Sequence, residues 1–181
     1  PPADLVLGTV AIPTNVLAGY DMALSYVLRN EGANLARGPW TDALYLSADD
    51  RWDYADALFA RVSQGGFLAP GGSRTNTVSA PAPGVLPGNY HVIIRTDLVN
   101  QVPETNEFNN LTASLDETAA EVLEIKLGTV VTDPLISRQA RYYRIHMSAG
   151  ESMVITMDCD PPSASTELLV RFGAIPTRND F

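Results

Sequence analysis

Polar and apolar positions alternate with period two along much of the chain. Met22, Leu24, Tyr26 and Leu28 fall on one side of an extended backbone, and Ala23, Ser25, Val27 and Arg29 on the other. Successive side chains of a strand point to opposite faces, so this run predicts a half-buried strand. Similar short runs at 5–12, 41–47, 57–62, 73–80, 90–96 and 110–115 bring the expected strands to seven. Between them stand turn clusters, Pro13-Thr14-Asn15, Asn30-Glu31-Gly32, Ala69-Pro70-Gly71-Gly72 and Pro87-Gly88-Asn89, which supply the fixed or positive φ that chain reversal needs. No amphipathic helical period interrupts them. Seven short strands with regular turns predict an all-β, immunoglobulin-like sandwich.

The texture changes at residues 116–124, which are acidic and rich in small side chains. This stretch is the expected junction, dividing the chain into modules 1–116 and 117–181. The second module shows strand-like runs at 122–127, 141–147, 152–158 and 167–172, with Ala149-Gly150 as a tight turn. Four strands in roughly 60 residues do not readily close a sandwich. A partial β-sandwich or jelly roll is expected there. Its open edges would invite pairing with another chain, as in a strand-swapped homodimer.

Composition narrows the function classes. The 181 residues carry 21 acidic against 12 basic side chains, a net charge of −9, which repels nucleic-acid phosphates and anionic membranes. Cys159 is the single cysteine, so neither an intrachain disulfide nor a cysteine zinc cluster can form. No run of about 18 apolar residues suits a membrane-spanning helix. The chain opens at Pro1 without signal-peptide features, and is expected to be part of a longer protein.

Two clusters of oxygen donors are candidate metal sites. Asp49, Asp50, Asp53 and Asp56 crowd one loop between strands, where like charges repel unless water or a cation screens them. The spacing departs from the helix-flanked calcium-loop pattern, and a solvated hairpin tip is the competing explanation. Asp97, Asn100, Glu104, Glu107, Asn109 and Asn110 surround the last expected hairpin. There, Glu104, Glu107 and Asn109 are the candidate calcium ligands, against ordinary Asn/Asp turn chemistry. Up-and-down strands place the two clusters at opposite ends, so they cannot share an ion. The Asp49, Asp53 and Asp56 loop should face the junction holding Asp116 and Glu117, where calcium could stiffen the joint.

Catalytic constellations are poor. His91 and His146 fall inside expected strands without a nucleophile, metalloprotease or phosphate-loop motif, and acids on a convex turn lack the enclosed cleft that raises one pKa. Trp52 and Tyr54 are the candidate ligand-stacking pair. The competing explanation is that they cover the hairpin while Trp40 anchors the core.

The runs Trp40-Thr-Asp-Ala-Leu-Tyr-Leu-Ser47, Leu86-Pro-Gly-Asn-Tyr-His-Val-Ile-Ile-Arg-Thr-Asp97 and Glu104-Thr-Asn-Glu-Phe-Asn-Asn110, with Asp4-Leu-Val and Tyr26-Val-Leu-Arg-Asn-Glu-Gly32, resemble the CARDB family of bacterial cell-adhesion-related domains over about residues 3–116. The resemblance implies an immunoglobulin-like sandwich repeated in large secreted or cell-surface proteins. Residues 140–157 and 167–181 look like the start of a bacterial pre-peptidase C-terminal (PPC) domain, which implies an accessory jelly roll without catalytic residues. Together these imply a non-catalytic structural or adhesion module, extracellular or on the bacterial cell surface, whose partners are neighbouring domains of the same protein. The alternatives are a module binding a cell-surface glycan or protein through Trp52 and Tyr54, and an accessory domain of a secreted peptidase.

Overall fold

The computed structural model describes residues 2–160 and 165–181. Two facing sheets are built from the alternating runs. In the first, β1 (Leu5–Ala11) pairs antiparallel with β3 (Asp21–Asn30), which pairs antiparallel with β8 (Ser73–Pro81). The second has the order β2 (Asn15–Leu17), β11 (Thr118–Glu121), β9 (Gly88–Arg95), β5 (Trp40–Ser47), β6 (Ala57–Gln64), and β10 (Leu111–Ala113) also pairs with β9. A small ladder of β4 (Ala36–Arg37) and β7 (Phe67–Leu68) closes one end.

Alternation sets which face is buried. Met22, Leu24, Tyr26 and Leu28 are 0–3% exposed, and the first three meet Leu44, Leu46, Val92 and Ile94 from the other sheet. Burying apolar surface in this way stabilises the fold by about 25 cal/mol per Å² and drives the packing of the two sheets. Trp40 is wholly buried and anchors a second cluster with Ala3, Leu5, Leu28, Leu68 and Val102. That cluster lies at the end of the sandwich from which the β9–β10 loop emerges.

Strands β5 and β9 depart from simple alternation, because Ala43, Tyr45 and Ile93 on the outer face are buried too. The β5–β6 loop explains this. Trp52 folds back so that its ring meets Tyr45 edge-on at 6.0 Å, and the Arg95 guanidinium covers it at 4.0 Å.

Strand pairing of the sandwich continues past residue 116. Thr118, Ala120 and Val122 are 0, 2 and 6% exposed, and β11 pairs antiparallel with β9 and parallel with β2. The period-two signal was present at 118–122, but small and acidic residues masked it. Beyond Val122 the chain is poor in strands. The runs expected at 122–127 and 141–147 shrink to β12 (Leu123–Glu124) and β13 (Tyr143–Arg144), a parallel pair. Residues 152–158 and 167–172 form no strand, and Val154 and Phe172 are over nine-tenths exposed. Alternation makes a strand only where a neighbouring edge takes up its backbone groups, and these runs meet none among the described residues. The Ala149-Gly150 turn is formed, with Gly150 at φ 86° and the Glu151 amide donating to the Ser148 carbonyl at 3.2 Å.

Candidate cation site in the loop between β9 and β10

Asp97 begins this loop in the left-handed region, at φ 43°, a conformation that Asp and Asn tolerate better than other residues with a Cβ. Its buried carboxylate accepts from the amides of Gln101 and Val102, both at 2.7 Å. The Asp97 amide donates to Asp42, whose wholly buried carboxylate also accepts from Tyr26 Oη at 2.6 Å, Thr96 Oγ1 at 2.7 Å and Gln64 Nε2 at 2.8 Å. Burial first, then the Asp42 charge, holds the Tyr26 phenol above its usual ionisation range. This hub ties the root of the loop to both sheets.

The far side of the loop grips the N-terminal strand. Glu104 forms a parallel bridge with Ala3, and Thr105 donates its amide to the Ala3 carbonyl at 2.8 Å. The Leu5 amide donates to a Glu104 carboxylate oxygen, and Asn109 Nδ2 to Asp4 Oδ1 at 2.9 Å. Gly32 makes this approach feasible, since a Cβ there would lie 2.4 Å from the Ala3 carbonyl carbon.

Within the loop, Asn110 Nδ2 donates to Glu104 Oε1 at 2.9 Å and the Glu104 amide to Glu107 Oε1 at 3.0 Å. Glu107 Oε2, Asn109 Oδ1 and Asn110 Oδ1 are buried and accept no hydrogen bond. Among the described residues, these are the only side-chain carboxylate or amide oxygens in that condition; the other orphaned atoms are nitrogens or a threonine hydroxyl, scattered through the fold. An unsatisfied buried polar group costs about 1–3 kcal/mol, so three acceptors close together in one loop call for a shared donor or a cation. Burial, reinforced by the charges of Glu107 and Asp97, pushes the Glu104 carboxyl up to about 7.

The expected ligands Glu104, Glu107 and Asn109 therefore come together, and Asn110 and Asp4 join them. The carboxylates number too few for an acid-only site: among the described residues no group of three or more His, Cys, Asp or Glu is arranged to hold a metal ion. The set depends on amide oxygens, which hard cations such as calcium accept.

The other expected cluster is organised differently. Asp49 Oδ1 accepts from the Arg51 amide at 2.8 Å, Asp53 Oδ1 from the Ala55 amide at 2.6 Å, and Asp56 Oδ2 from the Asp53 amide at 2.8 Å. These are turn-forming bonds on an exposed loop. The loop does lie at the end of the sandwich that carries Glu117, because Ser47 pairs with His91 and His91 Nε2 is 3.5 Å from Glu117. Of the stacking pair, Trp52 has Arg95 against its ring, and Tyr54 stands 96% exposed at 5.0 Å from it.

A two-sheet sandwich whose last loop clamps its first strand defines a small β-sandwich module of the immunoglobulin-like kind. The CARDB family model matches residues 2–114, and the chain belongs to that family. The chain is also similar to parts of several solved structures. A domain named as a candidate cell surface protein from Methanosarcina acetivorans is 16% identical, with 67% of this chain and 94% of that one covered, at TM-score 0.50. The CARDB domain of a Pyrococcus furiosus protein, solved in complex with di-metal ions, is 19% identical over 66% of this chain and 90% of its own, at TM-score 0.47. A β-glucosidase from Listeria innocua matches at 15% identity and TM-score 0.42, but over only 16% of its own length. None of the curated proteins compared matches the chain.

Proposed function

We propose that this chain is a non-catalytic structural module of a bacterial secreted or cell-surface protein, and that calcium bound in the β9–β10 loop locks its first strand in place. The observation that carries the cation is the set of three buried oxygens without partners at Glu107, Asn109 and Asn110. Glu104 and Glu107 supply charge, and Asn109 and Asn110 supply amide oxygens. The loop already holds Ala3, Asp4 and Leu5 by hydrogen bonds. An ion there ties the entry strand to the end of β9 through shared ligands, and a module in a chain of modules resists fraying at that end.

Family membership supports a module that works beside neighbouring domains. No helix among the described residues is long and apolar enough to cross a membrane. The test is thermal unfolding of the whole chain in millimolar calcium and in chelator. Calcium raises the midpoint of the unmodified protein and leaves that of a Glu104→Gln, Glu107→Gln double variant unchanged. Equal midpoints for the unmodified protein in the two buffers would overturn the cation.

A further inference from the structure

Past the sandwich, the chain folds back onto it at the end opposite the β9–β10 loop. Leu5 pairs with Asn30 at one end of β3, whereas Asp21 pairs with Pro81 at the other; ten residues of strand separate the two by roughly 30 Å. At the Asp21 end, Asp133 Oδ2 accepts three donors: Tyr20 Oη at 2.5 Å, Tyr143 Oη at 2.7 Å and Arg141 Nε at 3.1 Å. The Arg141 guanidinium lies 4.2 Å from the centre of the Tyr20 ring and donates through Nη1 to the Gly19 carbonyl.

This cluster is unlike the surface ion pairs nearby. The side chains of Arg141 and Asp133 are 11% and 14% exposed, against 55% and 51% for Arg144 and Glu124 and 80% and 56% for Arg178 and Glu167. Exposed pairs contribute little; a partly buried one with additional donors is a specific contact. The sandwich is also shaped to receive the segment. Gly84 has no positive φ, so its backbone does not demand glycine, yet a Cβ there would lie 2.5 Å from the Tyr142 ring and 3.0 Å from Ile175.

We propose that residues 133–144 form a docking clasp, seated on the turn between β2 and β3 and on Gly84, that fixes the orientation of the following chain relative to the sandwich. Its partner is thus a segment of this same chain, and Asp133 is the anchor. The joint is held by phenol and guanidinium donors, and it works independently of the loop at the other end. The Tyr20 and Tyr143 hydrogen bonds hold the Asp133 carboxyl below its usual range, in keeping with a carboxylate permanently occupied by donors.

Limited trypsin digestion of the whole chain tests the clasp. In the unmodified protein, cleavage after Arg141 should be at least ten times slower than cleavage after the exposed Arg178. Asp133→Ala removes the anchor. Gly84→Leu blocks the seat of Tyr142 and substitutes none of the polar side chains of the clasp. Each should accelerate cleavage after Arg141 tenfold or more while cleavage after Arg178 and the unfolding midpoint reported by Trp40 and Trp52 fluorescence stay as they were. Cleavage after Arg141 as fast as after Arg178 in the unmodified chain would overturn the proposal without recourse to a variant. So would a failure of both variants to accelerate it.

Discussion

Asn110 donates its side-chain amide to Glu104 at 2.9 Å while its own buried oxygen accepts nothing. The pair is half of a satisfied network. Its side-chain N–H is spent on a carboxylate that burial disfavours, and Glu107 and Asn109 of the same loop also hold buried oxygens without partners. A cation coordinated by these oxygens would correct both conditions together.

Glu104 gives a pH dependence of definite sign. Its carboxyl is pushed up to about 7 in the folded chain from an ordinary 4.5, so between those values the folded state binds the extra proton. Without a cation, this contribution is fully present below about 4.5 and is lost as pH rises through 7. Thermal midpoints in chelator at pH 5 and pH 8 should show Glu104→Gln gaining on the unmodified protein as pH rises, by several degrees at about 2–4 °C per kcal/mol. A constant difference across that range would contradict the assignment.

Gly32 controls the approach of the first strand. A Cβ would meet the backbone of Ala3 and Asp4 at 2.4–2.6 Å, closer than backbone atoms can yield without moving. Gly32→Ala should destabilise the sandwich by about 1–3 kcal/mol in urea denaturation and weaken calcium binding, because displacing Ala3 and Asp4 loosens the contacts of Thr105 and Asn109. Unchanged stability and binding would show that the strand can shift freely.

Asp42 is the most heavily used buried acid of the fold. Removing it leaves Tyr26, Thr96 and Gln64 with unmatched donors, so Asp42→Ala should cost about 3–5 kcal/mol. Tyr26→Phe, which deletes one hydroxyl, should cost only about 1–2 kcal/mol. Chemical denaturation of the two variants checks the order.

Trp52 covers Tyr45 and lies under Arg95, which makes it a cover for the outer face of β5 and β9. Trp52→Ala should therefore lower stability by about 1–3 kcal/mol. A glycan array probed with the unmodified protein and this variant should show no signal that depends on Trp52; a signal lost with that residue would favour a sugar-binding role.

Much of the sandwich was legible because period-two alternation reports burial directly, and all seven runs expected in the first 116 residues became strands. The hidden pieces have physical causes. β4 and β7 are two residues each, too short for any period, and β11 has small side chains that mark a buried face only weakly. The last third was over-assigned, because alternation at 152–158 and 167–172 reveals a tendency that meets no edge to pair with among the described residues. Of the candidate site, Glu104, Glu107, Asn109 and Asn110 stood out by residue type. Asp4 joins them through tertiary contact, and Asp42, an acid in an apolar run, gave no sign of its four donors. The clasp at Asp133 was beyond reach, since Tyr20 lies 113 residues away.

Titration calorimetry of the calcium-free chain tests the central claim most directly. The site should bind calcium with a dissociation constant of about 10⁻⁴–10⁻³ M, the range of extracellular modules. Glu107→Gln and Asn109→Ala should each weaken it at least tenfold, whereas Asp49→Asn combined with Asp53→Asn should leave it unchanged. Absence of binding at millimolar calcium, or binding lost with Asp49 and Asp53 but indifferent to Glu107 and Asn109, would contradict the account.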